Sequence, residues 1–186
     1  MAKLWRRGTI YAFEPVPEIY EQLTKATKGF KNVFCNPLAL SDQVGTSEIF
    51  VSSGSSDASS SLLAPKDHLI EHPSVNFSNN IQIQTTTLDQ WALENKVNYV
   101  DFMWLDMQGY EPFALKASPR ILSTVKAIYT EVSLKQLYDG TPLYLEFRQW
   151  LEEQGFRVER EELAWSDAKE LFFVRERSTN KCLSRL

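Results

Sequence analysis

The sequence predicts an α/β fold, a doubly wound and mostly parallel sheet closed by an antiparallel C-terminal hairpin. Three observations lead there. Short apolar runs rich in β-branched and aromatic residues alternate with segments of helical periodicity. Residues 100–105, Val100-Asp101-Phe102-Met103-Trp104-Leu105, are largely apolar on both faces, the pattern of a central strand in a parallel sheet. Residues 156–160 and 171–174 then read as a closing antiparallel pair.

Residues 9–13 are a buried strand, ended by Glu14-Pro15. A helix follows. Pro17 suits its first turn, Glu18 and Glu21 suit its dipole, Ile19, Tyr20, Leu23 and Ala26 share a face, and Gly29 offers a left-handed stop. Residues 33–35 are the next strand, and 38–42 lead to a turn at Gly45 before a strand through Ile49 and Val51. Residues 52–80 read as one long polar connection, a candidate lid on the acceptor side of a site. Ile81-Gln82-Ile83-Gln84 alternates strictly as a half-exposed strand should, and Thr87 with Gln90 forms a capping box that opens a helix through Trp91. Beyond the central strand, Gly109 and Pro112 introduce a helix carrying Phe113, Leu115 and Ile121, and residues 127–130 form a strand ending at Glu131. A Pro142-started helix presents Leu143, Phe147, Trp150 and Leu151 and stops at Gly155. Residues 1–186 thus read as a single domain with a short tail over 176–186.

Composition narrows the function. With 20 basic and 24 acidic residues, the net charge of −4 supplies no basic field for nucleic acid. No run approaches the roughly 20 apolar residues of a membrane span, and the apolar run after the basic start at residues 1–7 is too short for a secretory leader. Cys35 and Cys182 are widely separated and lack metal-like spacing. A cytoplasmic protein with no nucleic-acid or membrane partner is the expectation.

Ligands of open α/β sheets bind beyond the carboxyl ends of the strands, where this sequence places Glu14, Asp106 and Glu131. A carboxylate at Glu14 accepts hydrogen bonds from both hydroxyls of a ribose, or it serves the dipole of the helix behind it. Asp106 and Glu111 flank Gly109, so this pair supplies a base, metal ligands or charges facing a sulfonium, or else Asp106 caps the next helix. Glu131 completes the cluster or is a solvated strand end. His68 and His72 have a helical metal-ligand spacing, but Pro73 follows and no third ligand stands near, so they read as loop surface and no metal is expected. Trp91, Trp104 and Trp150 read as core. Nucleophile-elbow, Walker and metalloprotease motifs are absent.

Tyr11-Ala12-Phe13-Glu14-Pro15, Ala39-Leu40-Ser41-Asp42, Thr87-Leu88-Asp89 and above all residues 102–111, Phe102-Met103-Trp104-Leu105-Asp106-Met107-Gln108-Gly109-Tyr110-Glu111, resemble in order and spacing the FkbM-type S-adenosylmethionine-dependent methyltransferases over about residues 9–174. The resemblance implies a class I methyltransferase fold, S-adenosyl-L-methionine as cofactor, and O-methyl transfer to a small-molecule or sugar hydroxyl. It implies that Glu14 holds the ribose, that Leu40, Ser41 and Asp42 border the adenine, and that Asp106 faces the methionine end and the acceptor as candidate base, with Glu111 or Glu131 as its partner. Two departures stand out. Trp104 and Gln108 occupy positions where the family commonly has Lys and Glu. The family's glycine-rich strand, turn and helix before Phe13-Glu14-Pro15 have no counterpart in residues 1–8, so the strands ending at Glu14 and Asp106 are expected to leave open edges that pair with each other or with a dimer mate or other partner. Two rivals remain: a noncatalytic, truncated domain that binds a ligand or protein through those edges, and a nicotinamide-dependent oxidoreductase, which would need a glycine-rich turn.

Overall fold

The computed structural model describes residues 1–176. In chain order the elements are β1 Ile10–Phe13, α1 Pro17–Thr27, β2 Val33–Asn36, β3 Ala39–Leu40, β4 Gly45–Gly54, α2 His68–Glu71, β5 Val75–Thr86, α3 Leu88–Glu94, β6 Phe102–Leu105, α4 Glu111–Lys116, α5 Pro119–Leu122, β7 Ala127–Ser133, α6 Tyr144–Glu153, β8 Phe156–Leu163 and β9 Ala168–Arg175. Cys182 and residues 177–186 of the expected tail lie outside the described residues.

The chain is α/β, but its sheets are mixed. They have the orders β1-β2, β3-β5-β4 and β6-β7-β9-β8. Parallel pairings join β1 to β2, β3 to β5 and β6 to β7, whereas β4 to β5, β7 to β9 and β8 to β9 are antiparallel. The expected mostly parallel sheet is corrected chiefly by the β4–β5 ribbon. Its polar residues read as loop, yet Ser53 pairs with Asn76, Val51 with Asn79 and Phe50 with Asn80 across a ladder that satisfies the backbone. The long connection accordingly shrinks from residues 52–80 to 55–74.

Further expectations are corrected locally. Gly29 is absent from the left-handed glycines; α1 ends at Thr27, whose hydroxyl donates to the Leu23 carbonyl, and Phe30 N closes a turn on Thr27 O. The Thr87 hydroxyl accepts Gln90 N at 3.1 Å, but the Gln90 side chain turns to Glu94, so only half of the capping box forms. Glu131 lies inside β7 rather than at its end. The expected central strand is β6, among the described residues an edge strand paired on one side alone, and Trp104 is 59% exposed instead of in the core. Trp91 is buried as expected.

The main core lies on one face of the four-stranded sheet, where Met103, Leu105, Ile128, Leu171 and Phe173 meet Trp91 of α3, Ile121 of α5 and Phe147 and Leu151 of α6. A smaller cluster joins Val16 to Ala39, Ile49 and Ile83. Among the described residues β1 pairs only with β2 and β6 only with β7, and both strands line a cavity of about 1130 Å³. Residues 1–8 reach across its end: Asn32 donates to the carbonyls of Trp5 and Gly8, and the Trp5 ring lies 5.3 Å from that of Phe102.

Candidate active site

The cavity brings Glu14 and Asp106 to one space, together with Leu40, Gln108, Tyr110, Asp57 and Ser61. It is larger than the roughly 300–1,000 Å³ of ordinary ligand pockets. Glu14 follows β1 directly. Its Oε1 accepts Val16 N at 2.8 Å, and its pKa is raised by burial, opposed by that amide and reinforced by Asp57. The Val16 contact sets this acid just ahead of α1, where it also fits the alternative of serving that helix's dipole.

The 40–42 segment divides. Leu40 lines the cavity; Ser41 is buried with its amide on Thr86 O, and Asp42 accepts the Tyr110 hydroxyl at 2.9 Å. Tyr110 therefore fastens the turn after β6 to the end of β3. Asp89, also part of the family-like pattern, accepts the amides of Arg120 and Ile121 at 2.9 and 2.7 Å and so caps α5.

The turn after β6 carries most of the candidate chemistry. Asp106 is exposed, and its Oδ1 accepts the Gln108 amide at 2.7 Å. Two successive residues take left-handed conformations, Gln108 at φ 52° and Gly109 at φ 90°. A Cβ at Gly109 would stand 2.5 Å from Thr141 Oγ1, so close packing as well as φ requires glycine there. Glu111 is only 2% exposed and its Oε1 accepts Met107 N at 2.5 Å. Burial foremost lifts its carboxyl to about 7, against that hydrogen bond and with the charges of Asp106 and Glu131 adding to the rise.

The Leu105–Thr130 pairing sets Asp106 beside Glu131 one step further along. Burial, then the charges of Asp106, Glu170 and Asp167, push Glu131 up to about 7, while His72 acts the other way. Glu170 stands opposite Glu131 in the β7–β9 register and accepts the Tyr129 hydroxyl.

Residues 55–74 are stitched over this end of the sheet rather than hanging loose. Phe50 bridges to Ser61 and Pro65 to Tyr138, while Lys66 N and His68 N both donate to Leu137 O. The Ser61 hydroxyl donates to Gln108 O at 2.8 Å. Tyr138 is fully buried, with its hydroxyl 2.7 Å from Ser59 O and 3.0 Å from Gln108 Oε1. His68 is 3% exposed, which corrects its assignment to loop surface; the ring packs against Phe77 and Tyr138, and its Nδ1 has no partner among the described residues. His72 Nε2 meets the buried Asp167 at 2.9 Å. Among the described residues no group of three or more His, Cys, Asp or Glu is arranged to hold a metal, and no helix is long and apolar enough to cross a membrane.

The placement of Glu14 and Asp106 directly after their strands was legible in the sequence, that of Glu131 was not, and Tyr138, Ser61 and Asp167 drew no attention there. The Tyr138-Asp139-Gly140 triplet announces only a turn. Its chemistry depends on partners 30 and 79 residues away.

The chain is thus an α/β protein in which Glu14 and Asp106, each following a strand, line one cavity. The methyltransferase FkbM domain model matches residues 1–158, and the chain belongs to that family. It is also similar to 2-O-methyltransferase NoeI of Sinorhizobium fredii (strain NBRC 101917 / NGR234), with 30% identity over 139 residues covering 72% of this chain. The matched region spans 57% of that protein's length. No solved structure matches the chain.

Proposed function

We propose that this chain is an S-adenosylmethionine-dependent methyltransferase that methylates a hydroxyl oxygen of a small molecule or sugar on a Rossmann-like scaffold. The observation that carries the reading is the meeting of Glu14 and Asp106 on one cavity, from strands more than 80 residues apart in sequence. The donor set fits a nucleoside bearing a cationic methionine arm: Glu14 keeps Oε2 for the ribose hydroxyls while Oε1 is fixed by Val16 N, Leu40 offers an apolar border for the adenine beside Ser41 and Asp42, and Asp106 faces the methionine end. The cofactor, when bound, supplies an electrophilic methyl group. The name of the similar 2-O-methyltransferase supports oxygen as the accepting atom.

The chain's own work is to hold the acceptor oxygen in line, exclude water and take up its proton. Asp106, which lines the cavity, is the candidate base for the last task; its partner is Glu131, beside it on β7 with a carboxyl raised to about 7, or Glu111, which supports the turn through Met107 N. The open edges of β1 and β6 favour a second reading, a noncatalytic domain that binds a protein partner there by strand addition.

Calorimetric titration of S-adenosylhomocysteine into the chain separates the two. Saturable binding, weakened about tenfold or more in Glu14→Ala, is the expected result. Absence of binding would reject the enzyme reading for this chain and leave the binding-module reading.

A further inference from the structure

Gln108 occupies a conformation that its residue type disfavours. A non-glycine residue at φ 52° is strained unless its surroundings hold it there. Three contacts hold this one. The amide Nε2 donates to Asp106 Oδ1 at 2.7 Å, Oε1 faces the Tyr138 hydroxyl at 3.0 Å, and the main-chain carbonyl accepts the Ser61 hydroxyl at 2.8 Å. A glycine would relieve the strain and lose both side-chain contacts, so the side chain does something the backbone turn does not need.

We propose that Gln108 is a positioning residue of the methyl-acceptor site: its amide turns the Asp106 carboxylate and couples it, through Tyr138 and Ser61, to the 55–74 connection. The catalytic meaning of this assignment rests on the methyltransferase reading; the hydrogen-bonded clamp does not.

In this chain, where Gln108 stands at a position the family commonly fills with Glu, the contacts select an amide. Asp106 when ionised offers only acceptors, so its neighbour must donate, and the Tyr138 hydroxyl has one proton to divide between Ser59 O and Gln108 Oε1. Nitrogen toward Asp106 and oxygen toward Tyr138 satisfy both sides at once. A carboxylate at position 108 still accepts from Tyr138 but cannot donate to Asp106, and it adds a charge beside Asp106, Glu111 and Glu131. Tyr138 senses this group directly: burial first, then the charges of Glu131, Glu111 and Asp106, hold its hydroxyl protonated and available to donate. The 55–74 connection therefore registers the orientation of Asp106 through a short path of named bonds, Asp106 to Gln108 to Tyr138 to Ser59, with Ser61 fixing the backbone of the same residue.

The test uses the full chain with Gln108→Gly and Gln108→Glu, and two independent readouts. In side-chain amide NMR of the unliganded protein, one Gln108 proton is expected downfield and protected from solvent exchange, and this signature is lost in Asp106→Ala. A Gln108 amide with ordinary shifts, or one indifferent to Asp106→Ala, overturns the clamp whether or not the protein binds any cofactor. In calorimetry with S-adenosylmethionine, Gln108→Gly is expected to melt at or above the wild-type temperature yet bind about tenfold more weakly, and Gln108→Glu to bind more weakly still. Wild-type affinity in the glycine variant would overturn the positioning role. An intact amide signature in a wild-type protein that binds no cofactor would instead sink the methyltransferase reading and leave the clamp standing.

Discussion

Replacing Glu111 by Gln should stabilise the fold at neutral pH and flatten its pH dependence. The side chain is almost fully buried, and its carboxyl is raised from 4.5 to about 7, chiefly by desolvation. In the unfolded chain the group ionises near 4.5; in the folded protein it keeps its proton until about pH 7. The folded state thus binds the extra proton between these values, so stability falls as pH climbs from about 4.5 to about 7 and levels off above. A rise of that size corresponds to about 3 kcal/mol. Glutamine preserves the acceptor for Met107 N and cannot ionise. Urea unfolding of both proteins at intervals from pH 4.5 to 8 should show Glu111→Gln gaining on the wild type through this window, by up to about 3 kcal/mol at pH 8. Parallel stability curves would refute the argument and place the Glu111 carboxylate in a solvated or ion-paired setting. Glu131 titrates in the same window in both proteins, so only the difference between them is diagnostic.

Other substitutions probe the supports around the site. Gly109→Ala meets Thr141 Oγ1 at 2.5 Å in a left-handed conformation and should cost about 1–3 kcal/mol, read as a lower thermal midpoint; an unchanged midpoint would count against the close approach. His72→Ala strips the partner from buried Asp167 and should cost roughly 1–3 kcal/mol in urea unfolding, with Asp167→Asn losing less because an amide still bonds His72; equal losses would argue that charge is what matters. Arg175→Ala removes donors to the carbonyls of Val125, Leu122 and Gln154 and a stack on Phe156, so a loss of about 2–3 kcal/mol is expected in the same assay; a neutral effect would mean that water replaces the guanidinium.

How much of this was readable beforehand depends on the range of the interaction. Helix starts at Pro17 and Thr87, the Gly155 stop and the β8–β9 hairpin are set by residues adjacent in sequence, and they stand where periodicity and capping placed them. Trp104 misled because an apolar run announces burial without saying whether a strand lies on each side; among the described residues β6 has only β7. The β4–β5 ribbon misled in the opposite direction, since solvent-facing strands carry the same Ser and Asn residues as loops and declare themselves only through cross-strand pairing. In the site, Glu14 and Asp106 followed from the rule that ligands gather at strand ends. The setting of Glu111 did not, because its depth is fixed by elements distant in sequence. His68 and His72 were legible as a spacing, while their burial against Tyr138 and bond to Asp167 arise from segments up to 95 residues away.

The backbone ladders stop at β1 and β6, and this bears on how the molecule breathes. Among the described residues no strand pairing ties residues 10–36 to the β6-β7-β9-β8 sheet, and one indole of the main core reaches across to both β1 and β2. Trp91 donates from Nε1 to Asn36 Oδ1 at 3.1 Å and meets the rings of Tyr11 and Phe13 edge-on at 4.8 and 4.9 Å. Amide protons of β1 and β2 should accordingly exchange with deuterium sooner than those of β7 and β9, as a separate cooperative unit. Trp91 is then a pivot, and its fluorescence should change at the first of two unfolding steps while the four-stranded sheet is still intact.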